Sequence, residues 1–145
     1  MERAELFEQI TAYNMKIEQL YSEWAKRKGI SYYALLVIFA LQTHSPCTQK
    51  EISEKWLLPK QTVHTVIRDM QKKEYVTLEQ GRNQKEKLVT LTEEGNSYVQ
   101  EMLADLDIVE NAATEMFSLA DGEIIANGLK KFAEAFEREL NSYGK

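Results

Sequence analysis

Two helix starts lie eleven residues apart near the middle of the chain, and that spacing limits the fold more than any other feature. Thr48-Gln49-Lys50-Glu51 has the form of a capping box, in which Thr48 caps the first turn and Glu51 reaches back to the cap. Pro59 suits the first turn of a second helix, where its missing N–H costs nothing. Between them there is room only for a short helix, about Gln49 to Lys55, and a tight break at Trp56-Leu57-Leu58. The second helix runs from about Pro59 to Lys73. Val63, Val66, Ile67 and Met70 fall on its apolar side, and Lys60, Gln61, Thr62, His64, Thr65 and Arg68 on the other.

The hydrophobic period then drops to two. Tyr75-Val76-Thr77-Leu78 reads as a strand and Lys87-Leu88-Val89-Thr90-Leu91 as its return. Residues 79–86 between them are polar and rich in turn formers, which predicts a hairpin with a charged tip. Two strands alone are marginally stable, so the hairpin must lean on the helices.

The flanks are helical. Leu6, Ile10, Tyr13, Ile17, Leu20 and Trp24 alternate at spacings of four and three, one stripe on a long first helix closed by Lys26-Arg27-Lys28-Gly29. Ser31 caps a second helix, about Tyr32 to Thr43, that is apolar nearly all round and therefore a core helix. Thr92, followed by Glu93 and Glu94, starts a long helix with Val99, Leu103, Leu106 and Val109 on its stripe. A break over residues 118–122 precedes a last helix carrying Ile125, Leu129, Phe132, Phe136 and Leu140. The fold class is mainly α with a small β-hairpin wing.

At 145 residues the chain suits one domain with a sizeable core. A single Cys allows neither an internal disulfide nor a thiol pair for zinc. The longest apolar run, Tyr32–Leu41, is too short to span a membrane, and the first residues lack a signal-peptide core, so the expected location is the cytoplasm. The net charge of −5 hides a segregation. Residues 46–90 carry nine Lys or Arg against six acids, a local +3, and the remainder carries −8.

A short helix, a tight break and a second helix led by small polar side chains form the helix-turn-helix pattern, and the hairpin behind it makes a wing. Such a helix fills the major groove of DNA. Gln61 and His64 can hydrogen-bond base edges, and Thr62 and Thr65 can meet thymine methyls or phosphates. Lys50, Lys60, Arg68, Lys72 and Lys73 can neutralise phosphates, and Arg82 at the hairpin tip can enter the minor groove. The acidic first and last helices, paired between two chains, would make a homodimer that offers two reading helices to a palindromic double-stranded site.

The sequence resembles the MarR-type winged-helix regulators over essentially its whole length. The resemblance rests on Thr48-Gln49-Lys50-Glu51-Ile52-Ser53-Glu54-Lys55, Lys60-Gln61-Thr62-Val63, the pair Lys72-Lys73 with Tyr75-Val76, and Leu88-Val89-Thr90-Leu91-Thr92-Glu93-Glu94-Gly95. It implies one MarR-like domain over 1–145, with a winged helix-turn-helix lobe at 31–91 and a dimerisation lobe from 1–28 and 92–145. It further implies a homodimeric transcription factor, usually a repressor, released by a small-molecule effector held near the first two helices. Tyr32, Tyr33 and His44 are the candidates for that effector, although aromatics at helical spacing are more often core.

The family wing usually carries an Asp-Arg-Arg-type stretch; its positions here are Asn83, Gln84 and Lys85, so either Arg82 or Lys85 takes the wing role. A glycine common in the family's turn is Leu57 here, and another after its reading helix is Glu74, which costs about 1 kcal/mol if a left-handed backbone is required there. Thiols sense oxidants in some relatives, but from the first helix; Cys47 precedes the third, and the expected reading is an inert thiol. With two His, one Cys and no phosphate loop or nucleophile motif, no catalytic site, cofactor or metal is expected. The competing reading is a winged-helix protein-interaction module without DNA contact, against which the retained cations of the middle segment speak.

Overall fold

The computed structural model describes residues 1–83 and 85–145; Gln84, one of the wing positions, lies outside the described residues. The elements follow in the order α1 (Arg3–Arg27), α2 (Tyr32–His44), β1 (Cys47–Thr48), α3 (Gln49–Trp56), α4 (Lys60–Lys72), β2 (Val76–Gln80), β3 (Lys87–Leu91), α5 (Glu93–Thr114) and α6 (Leu119–Ser142). They form two compact units, Met1–Leu103 and Ala104–Lys145.

In the first unit the starts of α2, α3 and α5 are set by side-chain caps. Ser31 accepts the N–H of Ala34 at 3.0 Å, Thr48 that of Glu51 at 3.0 Å, and Thr92 that of Gly95 at 2.9 Å. α1 closes at Lys28 and Gly29, whose φ of 76° only glycine adopts without strain. α2 is the core helix: Leu35, Leu36, Val37, Ile38, Ala40 and Leu41 are all buried. α3 and α4 pack against it, and Ile52 of α3, Val63 and Ile67 of α4, Val76 of β2 and Val89 of β3 are likewise removed from water. Every such side chain contributes about 1.5–3 kcal/mol of transfer free energy. Tyr21 of α1 meets Phe39 of α2 edge-on, with ring centroids 6.1 Å apart, and Phe39 in turn meets Trp56 of α3 at 5.7 Å.

The sheet has three strands rather than the two the periodicity predicts. Its order is β1-β3-β2, all antiparallel, with Cys47 opposite Val89 and Val76 opposite Leu91. Leaning the hairpin on the helices is done partly by this extra strand, which pairs β3 immediately before Thr48 turns the chain into α3.

The turn from α3 to α4 is held by Ser53, whose hydroxyl and carbonyl both bond the backbone of Leu58. Leu57 takes the left-handed conformation there, with φ 53°. Pro59 stands at the cap of α4 rather than inside its first turn, and its carbonyl accepts the N–H of Val63. After α4, Glu74 is again left-handed, with φ 62°. Both positions are those where the family resemblance places glycine.

In the second unit, Ser118 and Asp121 form a reciprocal capping box for α6. The break between α5 and α6 therefore ends at residue 118 instead of beginning there. The aspartate that reads as part of a loop is the acceptor that closes the helix start. No residue of α6 is buried; Ile124, Ile125, Phe136 and Leu140 are exposed, and Phe132 stacks on Phe136 at 5.8 Å. Among the described residues, no helix is long and apolar enough to cross a membrane.

Candidate nucleic-acid interface

α4 presents a polar face because its apolar residues are used elsewhere. Val63, Ile67 and Met70 are buried, which turns Lys60, Gln61, His64, Thr65, Arg68 and Lys72 outward, with Thr62 half-buried at the edge. A shallow groove along this face is lined by Gln61, His64, Thr65, Arg68, Asp69 and Lys72. Asp69 is neutralised within the helix by Lys73 at 3.1 Å, and that hydrogen bond pushes the Lys73 ammonium above its ordinary range. Lys60, Arg68 and Lys72 make no ion pair among the described residues. The Thr65 hydroxyl donates to the Gln61 carbonyl at 2.9 Å, so its one proton is already committed within the helix.

A second groove lies between the start of α3 and the wing. Thr48, Gln49, Lys50, Asn83, Lys85, Glu86 and Lys87 line it. Lys50 is loosely paired with Glu54 at 3.9 Å. Lys87 is the member the sequence did not single out. Its alternate position in a strand reads only as solvent-facing, and nothing local says which groove that face adjoins.

The wing tip is organised by side-chain-to-backbone bonds. The Asn83 side chain accepts the N–H groups of Lys85 and Glu86, both at 3.0 Å. The Gln80 side chain donates to the Asn83 carbonyl at 2.7 Å, and the Gly81 N–H bonds the Glu86 carbonyl at 3.0 Å. Arg82 stays 74% exposed at the tip and is paired there. Its guanidinium lies 2.9 Å from Glu51 of α3 and 3.3 Å from Glu86, and its backbone N–H donates to Glu86 at 2.8 Å. That backbone N–H, with the guanidinium adding to it, holds the Glu86 carboxyl below the usual carboxylate range. Glu51 accordingly spends its carboxylate on Arg82, not on the reach back to Thr48 that a capping box implies.

The three effector candidates are not brought together. Tyr32 and Tyr33 sit side by side at the start of α2, ring centroids 6.2 Å apart, and His44 ends the same helix. Twelve residues of helix put them about 18 Å apart. Burial raises the Tyr32 phenol above its ordinary range, with Glu18 and Tyr33 adding to the effect. His44 instead borders a small cavity of about 170 Å³ with Ala40, Cys47, Glu51, Ile52 and Lys55. Cys47 is 1% exposed, and loss of solvation, with Glu51 adding to it, pushes its thiol up to about 11. Two features escaped the sequence: the indole N–H groups of Trp24 and Trp56 are buried with no hydrogen-bond partner among the described residues.

Against known proteins, the MarR family model matches residues 28–85, the span from the end of α1 through the wing. That span is a MarR-family winged helix. No curated protein matches the sequence. Among solved structures, a MarR family regulator from Neisseria meningitidis is similar over 94% of this chain and 97% of its own, with a TM-score of 0.84 at 24% identity. The transcriptional regulator BldR from Sulfolobus solfataricus aligns over 93% and 99%, with a TM-score of 0.77 at 16% identity. Staphylococcus aureus MarR in complex with salicylate and kanamycin aligns over 94% and 93%, with a TM-score of 0.74 at 19% identity. The helices flanking the MarR-family lobe are thus part of the shared fold.

Proposed function

We propose that the chain is a homodimeric, sequence-specific DNA-binding transcriptional regulator of the bacterial cytoplasm, acting as a repressor that a small ligand releases. The observation that carries this reading is the face of α4. Lys60, Gln61, His64, Arg68 and Lys72 are exposed together on a helix whose opposite side is locked into the core. Side chains so fixed suit a rigid reader in the major groove, with the wing beside it. Lys50, Lys85 and Lys87 at the neighbouring groove add cations for the phosphate backbone.

Dimerisation is supported by apolar side chains that the folded chain leaves in water. Tyr13, Ile17 and Leu20 of α1 are exposed, as are Ile125, Phe136 and Leu140 of α6. Exposed apolar stripes on a helix suit an interface. A palindromic duplex matches a two-fold protein. The effector part of the proposal leans on the solved relative that holds salicylate, and no pocket of this chain is assigned to it.

The test is selection from random duplexes, with the selected site then titrated at several salt concentrations. A palindromic consensus whose affinity falls steeply with salt is expected. Absence of any preferred duplex, with a stable protein partner recovered instead, would replace the reading with an interaction module. Leu20→Glu and Phe136→Glu should each shift the sedimenting species from dimer to monomer.

A further inference from the structure

We propose that Arg82 is a brace and not a DNA probe, and that Glu51 is the residue that positions the wing, acting through it. The inference rests on the DNA-binding reading above and refines it. A guanidinium offers five N–H donors in a fixed fork. Here Nη2 takes Glu51 Oε1 at 2.9 Å and Glu86 Oε1 at 3.3 Å, and Nε takes Glu86 Oε2 at 3.4 Å. The contact with Glu51 joins α3 to the wing across 31 residues of sequence. Glu86 is itself fixed, since its N–H is held by the Asn83 side chain and its carboxylate takes the Arg82 backbone N–H. The wing tip, the guanidinium and the start of α3 thus form one connected network, the arrangement in which surface charges act together instead of singly.

The charge balance points the same way. One guanidinium between two carboxylates leaves the cluster with a net charge of −1, which phosphates avoid. For Arg82 to enter a minor groove it would have to abandon both partners and leave two carboxylates facing DNA. Lys50, Lys85 and Lys87 line the groove beside the cluster and carry a local excess of positive charge. The wing therefore meets the phosphate backbone through its lysines, at an angle fixed by Glu51 and Arg82.

Simple electrostatics and positioning predict opposite signs for one substitution, which makes the proposal testable. Glu51→Gln removes a negative charge next to DNA, so charge alone predicts tighter binding. A positioning role predicts weaker binding. The measurements are affinity for the selected duplex at several salt concentrations, and amide hydrogen exchange at Arg82, Lys85 and Glu86 in the free protein. Glu51→Gln and Arg82→Gln should each weaken binding about tenfold, with the double variant no worse than either single, because contacts in one network are not additive. Both should leave the salt slope unchanged and speed wing-amide exchange several-fold, and Glu51→Asp should keep most of the affinity. Lys85→Gln should instead lower the slope by about one per protomer.

Tighter binding by Glu51→Gln would overturn the proposal. So would a slope reduced by Arg82→Gln, or wild-type exchange in the Glu51→Gln wing. If the wild-type protein binds no duplex, the regulator reading fails, and the exchange measurement still decides whether Glu51 and Arg82 brace the wing.

Discussion

Gly95 and the carbonyl of Tyr75 occupy adjoining space so closely that a side chain at residue 95 has nowhere to go: a Cβ built there overlaps the Tyr75 oxygen. The same oxygen accepts the N–H of Thr92 at 3.0 Å, and the Thr92 hydroxyl donates to the Glu74 carbonyl at 2.7 Å. Tyr75 also stacks on Tyr98 of α5, centroids 4.3 Å apart and nearly parallel. The end of α4 is therefore bolted to the start of α5 through a few residues. Alanine normally stabilises a helix relative to glycine by about 0.5–1 kcal/mol. At residue 95 the sign reverses. Gly95→Ala should destabilise the fold by about 1–3 kcal/mol, the cost of overpacking, read as a lower midpoint in urea at unchanged slope.

Leu57 gives a prediction of the other sign. It is left-handed, with φ 53°, and 88% exposed, so its side chain contributes little burial while its Cβ strains the backbone. An L-residue in that conformation costs about 1–2 kcal/mol, and glycine gives back roughly 0.4–1 kcal/mol through the unfolded chain. Leu57→Gly should therefore raise stability by about 0.5–1 kcal/mol in urea unfolding. Glu74→Gly, at φ 62°, should do the same. A loss of stability at Leu57 would mean the backbone strain is smaller than its φ implies.

These two positions also show what was legible in the sequence. A left-handed turn after a helix is a local demand, so a residue standing where glycine is usual announces strain without any tertiary knowledge. Caps are local too, and Ser31, Thr48 and Thr92 act as their spacing predicts. Partners chosen over long separations were not legible. β1 is two residues long, and Cys47 finds Val89 across the sheet. Glu51 reads locally as a capping acceptor, yet the folded chain gives it Arg82, and no periodicity distinguishes those two uses of one carboxylate. The α4 face was legible because burial of its opposite side follows from spacing. The wing groove was not, because it is made where two distant segments meet.

The geometry of α4 separates Thr65 from Gln61. Since the Thr65 hydroxyl proton is committed to the Gln61 carbonyl and cannot reach a phosphate, Thr65→Val, which keeps a methyl, should leave DNA affinity within about threefold and stability within about 0.5 kcal/mol. Gln61→Ala, which removes a side-chain donor and acceptor from the exposed α4 face, should change the selected bases and cost about 1–3 kcal/mol on the preferred site. Lys72→Ala should weaken all duplexes alike and flatten the salt dependence. A Thr65→Val variant with altered base preference would place the hydroxyl on DNA and refute this assignment.

Cys47 ties stability to alkaline pH. In the folded chain its thiol, 1% exposed, is pushed up to about 11, from an ordinary value of 9.0. The folded form therefore keeps its proton while the unfolded chain gives it up. The contribution to stability is complete below pH 9, declines as pH rises toward the folded value, and is gone above it. A shift of that size corresponds to a loss of about 2–3 kcal/mol across the window. Cys47→Ala forfeits some packing at neutral pH, but its stability should fall less between pH 9 and pH 11 than that of the wild type. Urea unfolding of both proteins across that range, with reductant present, gives the comparison, and parallel curves would show that the thiol ionises as readily folded as unfolded. The same burial predicts slow reaction of Cys47 with thiol reagents at pH 8 in the folded protein and rapid reaction once it is unfolded, because only the thiolate attacks.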